Sequence, residues 1–175
     1  VHEEFHSTEW SKTGGVVEMV QLWVNLPRKH KMIAPRYQGI MNSSIPSVSL
    51  GNEDGGSSVR IIAGEFRGER GPASTWSPIN LWDVEVKGGK DDAKVVHDIP
   101  IDPSHNSLLF IREGRVLVGG GGDAAPKEIS SEEMVLMEMD GGDLIRLELP
   151  HGVKHAKVLL LSGAPFFDEP IVHGG

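Results

Sequence analysis

Asn80-Leu81-Trp82-Asp83-Val84-Glu85-Val86-Lys87 alternates apolar and polar side chains without a break, the pattern of a strand with one buried face. Similar runs lie on both sides of it. Val59 to Phe66 is rich in β-branched residues, as is Val16 to Leu26, which stops at Pro27, a residue that cannot donate to a ladder. Downstream come Ser107 to Ile111, Arg115 to Val118, Met134 to Met139, Asp143 to Leu149 and Lys157 to Leu161. Glu113-Gly114 lies between two of these runs and reads as a hairpin turn. Short strands separated by Gly and Pro turns, with no convincing helical period, predict an all-β fold: a jelly-roll sandwich or closed barrel.

Composition narrows the class. A chain of 175 residues is long enough for one domain, or one domain and part of another, with a real core. Without Cys there is no disulfide framework, thiolate nucleophile or zinc-thiolate site. No apolar run reaches the length of a membrane span, and no charged-then-apolar leader opens the chain, which points to an intracellular protein away from membranes. A net charge of −8 argues against direct nucleic-acid binding. The 22 Gly and 11 Pro are spread along the chain, as expected of turns in a folded β protein.

Several attractive features have plain readings. Gly119 to Gly122 looks like a phosphate-cradling loop, but no Lys-Ser/Thr follows, so it reads as a hairpin end. The acidic run Glu128 to Glu133 lacks calcium-loop spacing and reads as a solvated face. Trp23, Trp76 and Trp82 are expected in core or interdomain packing. Residues 31–46, polar and broken by Pro35 and Pro46, read as a linker.

The chemistry concentrates at the start. His2 and Glu4 are two residues apart, so in an extended segment both side chains share a face and can grip one cation. An imidazole beside a carboxylate suits Fe(II) or another divalent transition metal, provided further ligands come from elsewhere. His6 has the same strand parity. The alternative is that these are solvated polar residues. A second candidate lies at Pro150-His151-Gly152-Val153-Lys154-His155, which matches Pro-x-Gly-x-x-His; His155 could join His105 and Asp102 in a residual site, or all three could be turn and surface residues.

The runs Val1-His2-Glu3-Glu4-Phe5-His6-Ser7, Glu18 to Pro27 (EMVQLWVNLP) and Pro35-Arg36-Tyr37-Gln38 together resemble the middle of a pirin, a two-domain member of the cupin superfamily. Ile62-Ala63-Gly64-Glu65, Ser77 to Asp83 and Glu169-Pro170-Ile171-Val172 extend the resemblance over nearly the whole chain. It implies that residues 1–30 end a first, metal-binding cupin domain, with Val16 to Leu26 as an extra strand left from it. It further implies a linker at 31–46, a second cupin domain at 47–163 and the start of a tail at 164–175. In the family an upstream His-x-His pair and a later His-x-Glu bind iron. His2 and Glu4 match the later pair, so His2 is implied as a metal ligand and Glu4 as both ligand and catalytic base, in a site this chain cannot close alone.

The resemblance also implies function. Pirins resemble Fe(II)-dependent flavonol (quercetin) 2,3-dioxygenases, acting on a small aromatic substrate, and eukaryotic members act as iron-dependent transcriptional co-regulators through protein partners. A cytoplasmic location, nuclear as well in a eukaryote, goes with either. A third reading is an inactive product without a complete metal site, self-associating through the exposed edge of the strand at Val16 to Leu26.

Overall fold

The computed structural model describes residues 7–51, 56–89, 93–119, 125–139 and 142–167. Twelve strands carry the described fold: β1 (Ser47–Ser49), β2 (Ser58–Ala63), β3 (Glu65–Phe66), β4 (Glu69–Arg70), β5 (Ile79–Lys87), β6 (Val96–Pro100), β7 (Asn106–Glu113), β8 (Arg115–Val118), β9 (Lys127–Ser130), β10 (Met134–Leu136), β11 (Leu144–Glu148) and β12 (His155–Gly163). The only described α-helix is the six-residue α1 (Thr8–Thr13), capped by Ser7, whose Oγ accepts from the Trp10 N–H.

The strands form a six-stranded sheet in the order β1-β2-β5-β12-β7-β10, a four-stranded sheet in the order β6-β11-β8-β9, and the small ribbon β3-β4. Every pairing is antiparallel. The two larger sheets face each other as a jelly-roll barrel. β5 behaves as its alternation requires: Trp82, Val84 and Val86 are buried, while Leu81, Asp83, Glu85 and Lys87 face outward.

The barrel is filled by side chains. Ile61, Val84, Leu109, Val158 and Leu160 come from the larger sheet, and Ile99, Val116, Ile145 and Leu147 from the smaller, all at most 1 % exposed. Phe66 packs edge-on against Trp82, their ring centroids 5.1 Å apart. Burying each such side chain contributes about 1.5–3 kcal/mol.

Glu113-Gly114 is a corner and not the expected hairpin. β7 pairs with β12 and β10, whereas β8 pairs with β11 and β9, so the chain leaves one sheet at Gly114 and enters the other. The turn needs φ of 75°, and a side chain there would collide with the His155 carbonyl oxygen. β8 and β9 do pair with each other; of the Gly119 to Gly122 run between them only Gly119 lies among the described residues.

The expected extra strand at Val16 to Leu26 does not form: none of these residues joins a described sheet. The stretch runs over the outer face of the six-stranded sheet with its own side chains largely exposed, Val16 at 97 % and Trp23 at 90 %. Its β-branched composition favours strand geometry, but a strand also needs a partner, and no described strand pairs with it. Of the three tryptophans expected in packing, Trp82 is in the core, and Trp76 stacks with His30 and Arg36 at the surface. No helix of the described residues is long and apolar enough to cross a membrane.

Candidate functional site

His2, Glu4 and His6 lie outside the described residues, which begin at Ser7 and lead through α1 onto the outer face of the larger sheet. Among the described residues no group of three His, Asp or Glu side chains could hold a metal ion.

The second candidate, His105 with His155 and Asp102, does not assemble. On β12 the residues Ala156, Val158, Leu160 and Ser162 point into the barrel, which turns His155 outward by parity. There His155 Nε2 lies 3.1 Å from Glu113 Oε1. His105 is buried at the other end of the strand, its Nδ1 3.0 Å from Ser162 Oγ. Seven strand residues separate positions 155 and 162, roughly 23 Å, too far for one ion. Asp102 is committed to Ser104, whose N–H and hydroxyl hold its carboxyl below the ordinary range. Its Oδ2 is 3.8 Å from His105 Nε2, beyond hydrogen-bond reach.

His97, not singled out from the sequence, points inward from β6 beside Ile99. Its Nε2 is buried with no hydrogen-bond partner among the described residues. Burial first, and then the nearby Arg67 charge, lower its pKa from 6.5. Its surroundings favour the neutral imidazole over the charged form.

The polar chemistry of the described fold gathers on the outer face of the six-stranded sheet. Two β-bulges shape it. Ile62 is skipped in the β2–β5 register and Arg112 in that of β7–β12, and both side chains line one groove of about 200 Å³ with Glu18, Asp83 and Leu159. Arg112 donates to Asp83 Oδ1 at 2.7 Å and to Glu18 Oε1 at 2.9 Å, while Arg60 donates to Asp83 Oδ2 at 2.8 Å. The Glu18 carboxyl is held below its ordinary range by the Arg112 hydrogen bond, and the same bond raises the Arg112 pKa. Beside this groove a larger one, about 520 Å³, is lined by Trp23, Asn25, Asn106, Leu108, Leu161 and Phe166. Sequence reasoning missed the face because bulges and cross-strand neighbours leave no local motif.

The barrel, its strand order and its filled interior place this protein among the cupins. No family model matches the chain. It is 41 % identical, over its whole length, to a Pseudomonas aeruginosa protein carrying a provisional quercetin 2,3-dioxygenase name, and covers 55 % of that protein. It is 32 % identical to mouse pirin over 155 residues, 89 % of this chain and 49 % of that one. A crystal structure of quercetin 2,3-dioxygenase from Acinetobacter baumannii superposes with a TM-score of 0.80 at 34 % identity, over 97 % of this chain and 53 % of that one. The chain belongs to the pirin family. It spans about half the length of the curated relatives it matches.

Proposed function

We propose that this chain is the second cupin domain and the closing segment of the first in a pirin whose complete form is an Fe(II)-dependent flavonol 2,3-dioxygenase. The observation that carries the reading is the 41 % identity over all 175 residues to a relative provisionally named for that activity. In this division residues 1–30 end the first domain, 31–46 link, 47–163 form the second domain and 164–175 begin a tail. The same reading places the protein in the cytoplasm.

The donor set at the start of the chain suits such a metal. His2 offers an imidazole and Glu4 a carboxylate two positions on, a spacing that would put both on one face if the segment were extended. Two residues do not close a site, and the described residues hold no separate group of three or more such ligands. The remaining ligands belong to the upstream half that relatives carry. When bound, the iron would polarise the flavonol oxygens and provide a place for dioxygen. His2 would hold the ion and set one ligand direction. Glu4 would hold it too and accept the flavonol hydroxyl proton, for which a carboxylate within hydrogen-bond reach is needed.

A second reading, an iron-dependent co-regulator that meets protein partners through its surface, is favoured by the 32 % identity to mouse pirin. Metal analysis and quercetin turnover under dioxygen separate the readings. The chain joined to the upstream half of the Pseudomonas relative should bind one iron and consume quercetin. Iron without turnover favours the co-regulator, and neither iron nor turnover sinks both.

A further inference from the structure

Residues 19–52 contain no Asp or Glu, yet four of the chain's 17 Lys and Arg fall among them: Arg28, Lys29, Lys31 and Arg36. All 25 acids lie outside this stretch, so a chain of net charge −8 carries a positive region. The fold holds that region in place. Arg28–His30 form a single 3-10 turn after Pro27. The segment beyond it is tied to the loop between β4 and β5. Arg36 Nη2 donates to the Ser74 carbonyl at 2.9 Å. The Gln38 side chain donates to the Pro72 carbonyl at 2.7 Å and accepts from the Ser74 N–H at 2.9 Å. The Arg36 guanidinium lies over the Trp76 ring at 4.7 Å, and His30 packs against the same ring with centroids 4.7 Å apart. Beside them runs a groove of about 410 Å³, with Leu26, Ile33 and Pro35 as apolar lining and Lys31 and Arg36 as its cations.

Arg60, Arg112 and Lys157 meet carboxylates within the chain, but Lys29, Lys31 and Arg36 make no ion pair among the described residues. Lys31 Nζ reaches only Asn25 Oδ1, at 3.1 Å, and Arg36 only the neutral partners just named. Cations fixed by neutral partners and left uncompensated select an anion. The groove narrows the choice further. Its apolar lining suits aliphatic side chains. The Trp76 ring is already packed by His30 and Arg36, so it is no platform for a base, and the acidic remainder of the chain repels a long polyanion. We propose that this groove, with Lys29 at its edge, docks a short segment of a partner protein in which Asp or Glu alternate with apolar side chains. Docking there needs neither iron nor turnover, so it stands or falls apart from the dioxygenase reading.

The test is fluorescence anisotropy of a labelled peptide of about twelve residues, Glu alternating with Leu or Ser, titrated with the chain. Saturation is expected below about 100 µM, and a Gln-for-Glu version of the peptide should bind at least about tenfold more weakly. Lys29→Gln/Lys31→Gln alters two exposed side chains, so the melting temperature is retained, and should weaken the peptide at least about fivefold. Lys127→Glu, on β9 of the smaller sheet, makes the same change of net charge and should shift binding less than about twofold. Equal loss in the two variants, binding that survives Lys29→Gln/Lys31→Gln, or no binding at all overturns the proposal. So does tighter binding of an oligothymidylate of the same length, which would assign the groove to nucleic acid. Displacement of the peptide by inorganic phosphate at about 1 mM and constant ionic strength would reduce it to a small-anion site and also overturns it. The titration is repeated on the chain joined to the upstream half of the Pseudomonas relative, where binding should persist; its loss there would mean that the upstream half covers the groove, and the proposal fails.

Discussion

Asp83 and Arg112 form a 2.7 Å ion pair although their strands are not neighbours: β12 runs between β5 and β7, and the pair bridges over it beside Leu159. Asp83 is 13 % exposed and also takes Arg60, while Arg112 also holds Glu18. One guanidinium thus fastens the leading segment to the barrel and closes a cross-strand charge ladder.

Arg112→Ala should cost about 1–3 kcal/mol, because Asp83 loses a charge-assisted hydrogen bond in a partly buried place. Glu18→Gln should leave the barrel's melting temperature nearly unchanged yet speed proteolysis between Gly15 and Leu26. Equal thermal effects from both would contradict this division of roles.

Acidification should lower stability in two stages. His97 has its pKa lowered in the folded protein, so the unfolded chain takes up the proton first; its contribution is complete above pH 6.5 and is lost as pH falls towards the folded value. Asp98 and Glu113 are also lowered, chiefly by hydrogen bonds from Arg146 and Lys157, so their contributions are lost only below the usual carboxylate range. His97→Leu should flatten the melting temperature between about pH 7 and pH 5 and leave the lower stage intact. A first stage that persists in His97→Leu would assign it to another group.

Leu160→Ala, at a fully buried position in the centre of the larger sheet, should destabilise by about 2–5 kcal/mol in chemical denaturation. Met134→Ala, at an exposed position, should stay within about 0.5 kcal/mol.

In the chimera carrying an upstream His-x-His, His2→Ala should weaken iron binding strongly, since a ligand is removed outright. Glu4→Gln keeps the shape but not the charge or the proton acceptor, so turnover should fall further than iron affinity does. In the chain alone, neither substitution should move the melting temperature. Isothermal titration with Fe(II) and anaerobic-to-aerobic turnover assays read both effects.

Strands with one buried face were legible in the sequence. β5 and β11 show the alternation because one side meets the core and the other water. The short strands were not. β9 looks in the sequence like a solvated acidic face because only Ile129 of its four residues reaches the core. Gly114 looks like a hairpin because a corner between sheets uses the same glycine conformation as a turn within one. The Pro-x-Gly-x-x-His match was real as a pattern, but the parity of β12 aims His155 away from the barrel, and parity relative to a core cannot be counted from a motif. The ion ladder was illegible for a related reason: Asp83 and Arg112 meet only after β12 has entered between their strands.

The position of β12 has a consequence for biosynthesis. It is the final strand of the described barrel, and it is hydrogen-bonded to β5 on one side and β7 on the other. Until it leaves the ribosome, the larger sheet exists only as two unconnected parts, β1-β2-β5 and β7-β10, each with an edge of unpaired backbone groups awaiting the same insert. Folding of a nascent chain must therefore wait for residues near 163, and the delay exposes two open strand edges to other chains. A stop codon before residue 155 would release a product without the strand that joins the two parts of the larger sheet.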